Sequence, residues 1–170
     1  MACTQTFAGI DLQCTGATGG VKRVLIANFD DVTTVNITNG KIDTITMAAS
    51  AKFKEYRFRK NTAYKTSTAN FNDENGTRYV STEVFMRFSK LETSKRTEMQ
   101  ALFNGQCAVI VETQDGTYWY LGYNNPVTMT AGTAETGTNM DDFQGYTATM
   151  TDLSQEFPHE IDASIISGIL

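Results

Sequence analysis

Short apolar runs separated by turn-forming residues dominate the chain. Residues 21–29 (VKRVLIANF) and 107–112 (CAVIVE) carry continuous apolar stretches, which predict strands buried on both faces. The dipeptides at 39–40 (NG) and 115–116 (DG) predict tight hairpins, because asparagine or aspartate before glycine tolerates the positive φ angles of a type I′ turn. The pattern therefore predicts a mainly β fold.

Residues 52–90 form the longest coherent strand pattern. A turn sequence at 72–76 (NDENG) divides it into two predicted antiparallel strands, residues 52–72 and 77–89. The tip, residues 63–79, is rich in threonine, serine and asparagine, so we expect it to project beyond the body of the domain. A projecting hairpin buries little against its own chain and is expected to dock on a neighbouring subunit, the alternative being a mobile surface hairpin.

One amphipathic helix is predicted at residues 91–104, with Thr93 or Ser94 as its N-cap and Gly105 at its C′ position. A helix of about three turns is unstable alone and must pack on a sheet. Four apolar residues define the packing face: Leu91, Met99, Leu102 and Phe103.

The rest of the chain gives the domain plan. A length of 170 residues suits one domain. Residues 1–20 are predicted to be a polar N-terminal arm, residues 21–160 a single β-rich domain, and residues 161–170 (IDASIISGIL) an apolar tail. We expect the tail to add a strand or to fill a groove, on this subunit or on a neighbour. Residues 131–138 are predicted to be a Gly/Thr/Ala loop.

Charge is unevenly distributed along the sequence. The formal net charge is −5, yet 11 of the 14 lysines and arginines fall within residues 52–96. No lysine or arginine occurs from residue 97 onward, where ten carboxylates lie. Solvated faces are one explanation; the other is that a basic face of one copy meets an acidic face of the next. The overall acidity argues against a dedicated DNA-binding role.

No pattern typical of catalysis or ligand binding is found. The three cysteines (Cys3, Cys14 and Cys107) lack metal-ligand spacing, and His159 is the only histidine. The loop at 131–138 lacks a phosphate-binding motif. No apolar run approaches the roughly 20 residues of a membrane helix. We therefore expect a protein that is not an enzyme and has no cofactor, metal site or membrane span.

The order of several short motifs resembles a family of virion structural proteins from tailed phages of Bacteroidota, including crAss-like phages. More loosely, the chain is similar to phage tail-tube and tail-ring proteins. The motifs are turns and core strands: residues 19–24 (GGVKRV), 53–56 (FKEY), 109–111 (VIV), 115–122 (DGTYWYLG), 130–138 (TAGTAETGT) and 145–147 (GYT).

The resemblance implies an antiparallel β-sandwich or partly closed barrel with one flanking helix and a long protruding hairpin. Copies would form a ring, six-fold or twelve-fold, around a channel through which DNA passes without sequence-specific binding. Other tail or portal-vertex proteins would be its partners. Assembly would occur in the cytoplasm of the bacterial host, and the protein would reside in the phage tail.

This interpretation assigns two sets of candidate residues. The oligomer interface would use residues of the hairpin, the aromatic strand and the tail: Tyr64, Lys65, Phe71, Arg78, Tyr79, Tyr118, Tyr120, Ile165 and Ile166. The acidic lining of the channel would use Glu135, Asp141 and Asp142, since an acidic wall does not hold DNA by counterion release.

Two other functions remain open on the sequence alone. A carbohydrate- or receptor-binding β-sandwich on a virion or cell surface would stack sugars on Trp119, Tyr118 and Tyr120. A small hydrolase would use Asp141 or Asp142; the same pair beside Asn139 is also a weak candidate for calcium.

Overall fold

The computed structural model describes residues 6–12 and 14–170. Within them the chain forms eleven strands: β1 Val21–Asn28, β2 Val32–Thr38, β3 Lys41–Met47, β4 Lys54–Arg57, β5 Ala63–Asn72, β6 Thr77–Ser89, β7 Cys107–Thr113, β8 Tyr118–Leu121, β9 Thr128–Glu135, β10 Gly145–Ser154 and β11 His159–Ile161. The helices are α1 Thr93–Asn104 and α2 Ile166–Ile169, with 3-10 turns at Phe29–Asp31 and Ala163–Ile165.

The strands form two open sheets. The large sheet has the order β2-β3-β11-β8-β7-β1-β4, and the small sheet has the order β5-β6-β10-β9. All pairings are antiparallel except that of β11 with β3. The prediction of a mainly β fold is confirmed. A partly closed barrel is not formed, because the end strands of each sheet remain unpaired with one another.

Strands β1 and β7 lie in the middle of the large sheet and are buried on both faces. Val24 and Ile26 of β1 face one hydrophobic core, whereas Leu25 and Ala27 face another. Strand β7 divides its side chains in the same way, as expected for a strand whose successive side chains point to opposite faces. The double-sided burial predicted from the apolar runs is therefore correct.

Two cores result from this arrangement. The first lies between the sheets, where the aliphatic side chains of β1 and β7 meet Val84 and Met86 of β6 and Met150 of β10, and α1 contributes Leu102. The second lies on the opposite face of the large sheet. There the C-terminal segment packs against the sheet.

The apolar tail belongs to this second core. Ile161 ends strand β11, the residues after it form the 3-10 turn and α2, and Ile166 and Ile169 are buried. The carbonyl of Ile169 accepts a hydrogen bond from the Phe53 backbone N–H at 3.0 Å. The assignment of Ile166 to an oligomer interface is thus wrong, and Ile165 is partly buried against the same core.

The predicted hairpin of residues 52–90 is divided between the two sheets. Strand β4 pairs with β1 in the large sheet, and only β5 pairs with β6. The break between β4 and β5 contains Asn61 at φ 61°, a left-handed conformation that interrupts a strand. The two unbroken strands expected at 52–72 and 77–89 are therefore replaced by a shorter hairpin that starts at Ala63.

A projecting tip nevertheless exists. Strand β10 pairs with β6 only between Ser89 and Val80. Beyond Val80, residues 70–79 continue the β5–β6 hairpin without a third strand, and residues 71–79 are exposed.

Most of the segment predicted to be a Gly/Thr/Ala loop is strand β9. It pairs with β10, and threonine hydroxyls join the two strands: Thr133 Oγ1 lies 2.6 Å from Thr147 Oγ1, and Thr130 Oγ1 lies 2.8 Å from Thr151 Oγ1. Cross-strand threonine pairs stabilise a sheet without an apolar pattern, which is why periodicity alone did not reveal β9.

Helix α1 is amphipathic, but its ends differ from the prediction. Its N-cap is Glu92, and no side chain caps it, so neither Thr93 nor Ser94 has that role. Gly105 has φ −86°, and the helix therefore does not end in a left-handed residue. A Cβ at this position would lie 2.9 Å from the Ala101 carbonyl oxygen, which explains the glycine.

Gly145 begins β10 at a point of close backbone contact. A Cβ there would overlap the carbonyl oxygen of Phe88 and lie 2.8 Å from Cζ of Phe143. We expect Gly145→Ala to lower the free energy of unfolding by about 3 kcal/mol, because the β6–β10 pairing must open to accommodate it. Urea denaturation measures this change. Gly168→Ala, where the added Cβ meets nothing within 4 Å, is the matched control; equal stability of the two variants would contradict the prediction.

Candidate functional site

The hairpin tip presents an exposed aromatic surface. Phe71 is 69% exposed and Tyr79 is 46% exposed. The guanidinium of Arg78, opposite Phe71 in the ladder, lies 5.9 Å from its ring centroid. Exposed aromatic and arginine side chains are typical anchors of protein interfaces. Phe71 and Arg78 therefore share one face of the hairpin tip, while Tyr79 lies on the opposite face, and a partner can reach all three.

Tyr64 and Lys65 lie on opposite faces of β5. Tyr64 is on the outer face of the small sheet, 50% exposed and stacked on Phe85 with ring centroids 5.2 Å apart. Lys65 points toward the large sheet, where its Nζ lies 4.8 Å from the centroid of Trp119. Burial lowers the pKa of Lys65. This lysine is engaged within its own chain.

The aromatic residues of β8 do not form one surface. Tyr120 is 2% exposed and belongs to the second core, so its assignment to an interface is wrong. Tyr118 packs against the same core, and its hydroxyl accepts a hydrogen bond from Arg23 Nη2 at 3.2 Å. Trp119 lies on the other face, beside Lys65. The sugar-stacking surface predicted for these three residues is therefore not assembled.

The three acidic candidates lie together at one end of the small sheet. Glu135 ends β9 opposite Gly145, and the exposed Asp141 and Asp142 precede β10. The carboxylate of Asp142 accepts hydrogen bonds from the backbone N–H groups of Thr138 (2.8 Å) and Asn139 (2.7 Å), which lower its pKa. Asp142 thus holds the loop in shape, and Glu135 and Asp141 are available at the surface. We call these three carboxylates and their loop the acidic rim.

A basic cleft lies at the same end of the small sheet, beside β6 and the connection between β4 and β5. It encloses about 380 Å³, and its charged lining consists of Arg57, Arg59, Arg87, Lys90 and Lys95. Glu92 lies 2.6 Å from Lys90 and 3.3 Å from Lys95 and neutralises part of this charge. The cleft borders the acidic rim, because Lys90 N–H donates to the Gln144 carbonyl at 2.8 Å. The uneven distribution of charge along the sequence therefore produces two adjoining charged surfaces in the fold, one basic and one acidic.

A network of ion pairs joins β1, β4 and β7 around the buried carboxylate of Glu112. Glu112 is 2% exposed; Lys22 Nζ donates to its Oε1 at 2.6 Å, and Arg23 Nε donates to its Oε2. Arg23 also donates to Glu55 at 2.6 Å. Burial opposes the charge of Glu112, but the two cations outweigh it and lower the pKa. All four residues are satisfied by one another, which indicates a structural network.

Three further titratable groups, Asp152, Cys107 and His159, lie apart from this network. Asp152 is buried with one weak hydrogen bond, from Gly122 N–H at 3.4 Å, and burial raises its pKa. Burial also raises the pKa of the Cys107 thiol. His159 Nε2 lies 3.1 Å from a Glu156 oxygen, and its ring meets the edge of Tyr123. Cys3 lies outside the described residues.

The described part of the chain, residues 6–12 and 14–170, contains no group of three or more histidine, cysteine, aspartate or glutamate side chains placed to hold a metal ion. In the same residues no helix is long and apolar enough to cross a membrane.

The sequence pattern did not predict that several apolar side chains are exposed. Phe103 was predicted to face the core, but it is 67% exposed beside β9. Phe7, Ile10 and Leu12 of the N-terminal arm are each more than 90% exposed. Large apolar residues within an otherwise polar, glycine-rich arm were the signal that could have identified this second surface.

The chain matches no family model, no curated protein and no solved structure. The geometry of the surfaces described above is therefore the basis for assigning a function.

The Glu112 network gives a stability prediction. Glu112→Gln removes the charge that compensates Lys22 and Arg23, and we expect the free energy of unfolding to fall by about 3 kcal/mol. Glu92→Gln, which changes an exposed carboxylate with two lysine partners, is the control and should change stability far less. Urea denaturation near neutral pH makes the comparison. Equal effects of the two substitutions would show that burial of Glu112 adds nothing.

The same network predicts an acid dependence. The pKa of Glu112 is lower in the folded chain than its ordinary value of 4.5. Its stabilisation is therefore fully present above that value and is lost as pH falls toward the folded pKa. We expect the free-energy difference between the wild type and Glu112→Gln to shrink between about pH 5 and about pH 3. A difference that stays constant over this interval would contradict the prediction.

Proposed function

We propose that this chain is a non-catalytic virion structural subunit of a tailed phage, which self-assembles into a tail tube or a tail or connector ring around a DNA channel. The observation that carries the proposal is the placement of the basic cleft and the acidic rim on adjoining halves of one end of the small sheet. A subunit with complementary surfaces on two sides can bind copies of itself side by side.

Repetition of such a contact has a geometric consequence. The two surfaces differ, so the contact is head-to-tail, and a head-to-tail contact closes into a ring when the rotation between copies permits it. The acidic rim lies at β9 and β10, whereas the cleft is formed mainly by residues of the β4–β5 connection and of β6. Placing copies side by side therefore brings the acidic rim of one toward the basic cleft of the next.

The hairpin tip supports the same proposal. Phe71 and Tyr79 are exposed on their own domain, because residues 70–79 extend beyond the part of β6 that pairs with β10. In the proposed ring they would anchor on a neighbour and bury apolar surface that is exposed in the single chain. Two open sheets with an exposed hairpin are compatible with this role in assembly.

The channel is the part of the proposal that concerns DNA. A wall that presents uncompensated cations would bind the duplex through counterion release. In the proposed ring, the Glu135 and Asp141 carboxylates of one copy face the cleft of the next at the seam between subunits. Cations near the channel would thus be neutralised, and DNA would pass without being retained.

Charge reversal tests this assignment. Glu135→Lys with Asp141→Lys should raise the concentration needed for half-assembly at least tenfold, because like charges would meet at the seam. Sedimentation velocity at several protein concentrations measures it. Asp30→Lys with Glu156→Lys makes the same change of charge at exposed positions elsewhere and should leave assembly near the wild-type level.

A complementary variant sharpens the test. Arg59→Glu with Lys60→Glu reverses charges at the basic side, and mixing it with the Glu135/Asp141 variant should restore mixed oligomers that neither variant forms alone. Wild-type assembly should also weaken as salt rises. The proposed contact is wrong if the Glu135/Asp141 variant assembles like the wild type, or if the wild type is monomeric at every concentration.

A further inference from the structure

An open apolar groove runs between helix α1 and strand β9. It encloses about 540 Å³. Its walls are the side chains of Met99 and Phe103 from the helix and Met129 from the strand, and its floor includes Gly132 and Ala134. The methyl group of Met129 lies over Gly132, so close that an added Cβ would overlap it. Phe103 is two-thirds exposed at the edge of the groove.

Strand β9 is the last strand of the small sheet, and its outer edge is free. Residues 130–135 are exposed, and from Ala131 to Glu135 the pairing with β10 is regular. Residues 128–134 contain neither a charged residue nor a proline, the features that normally protect an edge from added strands. The free backbone N–H and C=O groups thus lie beside an apolar groove.

The other free edges are better protected. Strand β2 is interrupted by register shifts at two places, and β4 is a four-residue strand with three charged side chains. Strand β5 carries Lys65 and leads into the projecting tip. Bulges, short length and charge all discourage the addition of a strand. Strand β9 is the edge best suited to receive one.

The N-terminal arm has the complementary properties. Phe7, Ile10 and Leu12 are 92%, 101% and 95% exposed, so none of these three side chains is buried on its own domain. Ile10 and Leu12 are two residues apart and point to the same side of an extended segment, whereas Asp11 points to the other. Residues 6–12 can therefore form a strand with one apolar and one polar face.

We propose that residues 6–12 of a second copy of this chain add a strand to the free edge of β9 and place Ile10 and Leu12 in the groove against Met99 and Phe103. Backbone hydrogen bonds would supply the edge pairing, and the two aliphatic side chains would supply apolar burial. The inference rests on the proposed self-assembly, which provides the second copy.

The position of the arm favours a neighbour as donor. The arm joins the domain at Val21, which pairs with Thr113 at one end of β7. Strand β9 begins after Val127, which bridges Cys107 at the other end. The seven residues of β7 separate these points by about 23 Å. Residues 13–20 span at most about 29 Å when fully extended, so insertion of the arm into the groove of its own copy would require almost full extension.

Mixed disulfide formation tests the contact directly. One chain carries Ile10→Cys, and a second chain of different tag length carries Ala134→Cys; Cys3 and Cys14 are serine in both. Mild oxidation of the mixture should give a disulfide-linked pair of intermediate mass. Phe157→Cys in place of Ala134→Cys puts the thiol on another exposed apolar position and should give at least tenfold less.

A chain that carries both Ile10→Cys and Ala134→Cys distinguishes the donor. Cross-linked pairs and longer chains support insertion between copies. A disulfide confined to the monomer would show that the arm fills its own groove and would overturn the proposal. No cross-link above the Phe157→Cys level would overturn it as well.

Assembly provides a second measurement. Ile10→Asp with Leu12→Asp should raise the concentration for half-assembly at least tenfold while the unfolding midpoint of the monomer stays unchanged; Phe157→Asp, at an exposed apolar position outside the proposed contacts, should change neither. If the arm variant assembles as well as the wild type does, this inference fails and the proposed function stands. If the wild type never assembles, both fail.

Discussion

The pairing of β1 with β7 is the interaction on which the rest of the structure depends. Both strands are central in the large sheet, and their side chains alternate between two cores. Each fully buried valine, leucine or isoleucine contributes about 2 kcal/mol, so this pair supplies the largest block of apolar stabilisation. The first core fixes the small sheet and helix α1 on one face, and the second fixes the C-terminal helical segment on the other. With both faces of the large sheet covered, the surfaces left for partners are edges, a hairpin tip and loops.

The placement of those surfaces follows from the break between β4 and β5. Because β4 stays with β1 and β5 crosses to the small sheet, the arginines at 57 and 59 lie at one end of the small sheet. The loop between β9 and β10 brings its carboxylates to the same end. Two charge surfaces become neighbours there, while the hairpin tip extends from the opposite end of β6. The α1–β9 groove lies along the remaining side. The charged end, the hairpin tip and the groove thus lie on different parts of the domain, as the proposed assembly requires.

The elements that the sequence predicted correctly are those determined by continuous apolar runs or by turn-forming residues. The runs at 24–27 and 107–111 are buried on both faces, and Asn39 and Gly40 have the positive φ angles of 53° and 80° that their turn requires. The sequence could not predict that β9 continues through residues 131–135, because the pairing there depends on threonines of β10, which are distant in sequence. Nor could it orient Tyr120, because both faces of β8 carry large side chains. The tail is apolar for the expected reason, burial, and of the two expected partners, its own subunit or a neighbour, it packs on its own second core.

The central claim is that this chain is built to bind copies of itself in a closed ring. Negative-stain electron microscopy of the purified wild-type protein, over a range of concentrations at low salt, tests it most directly. The account predicts rings, or tubes of stacked rings, with a central channel. A population that consists only of single particles the size of one domain, at every concentration, would contradict it.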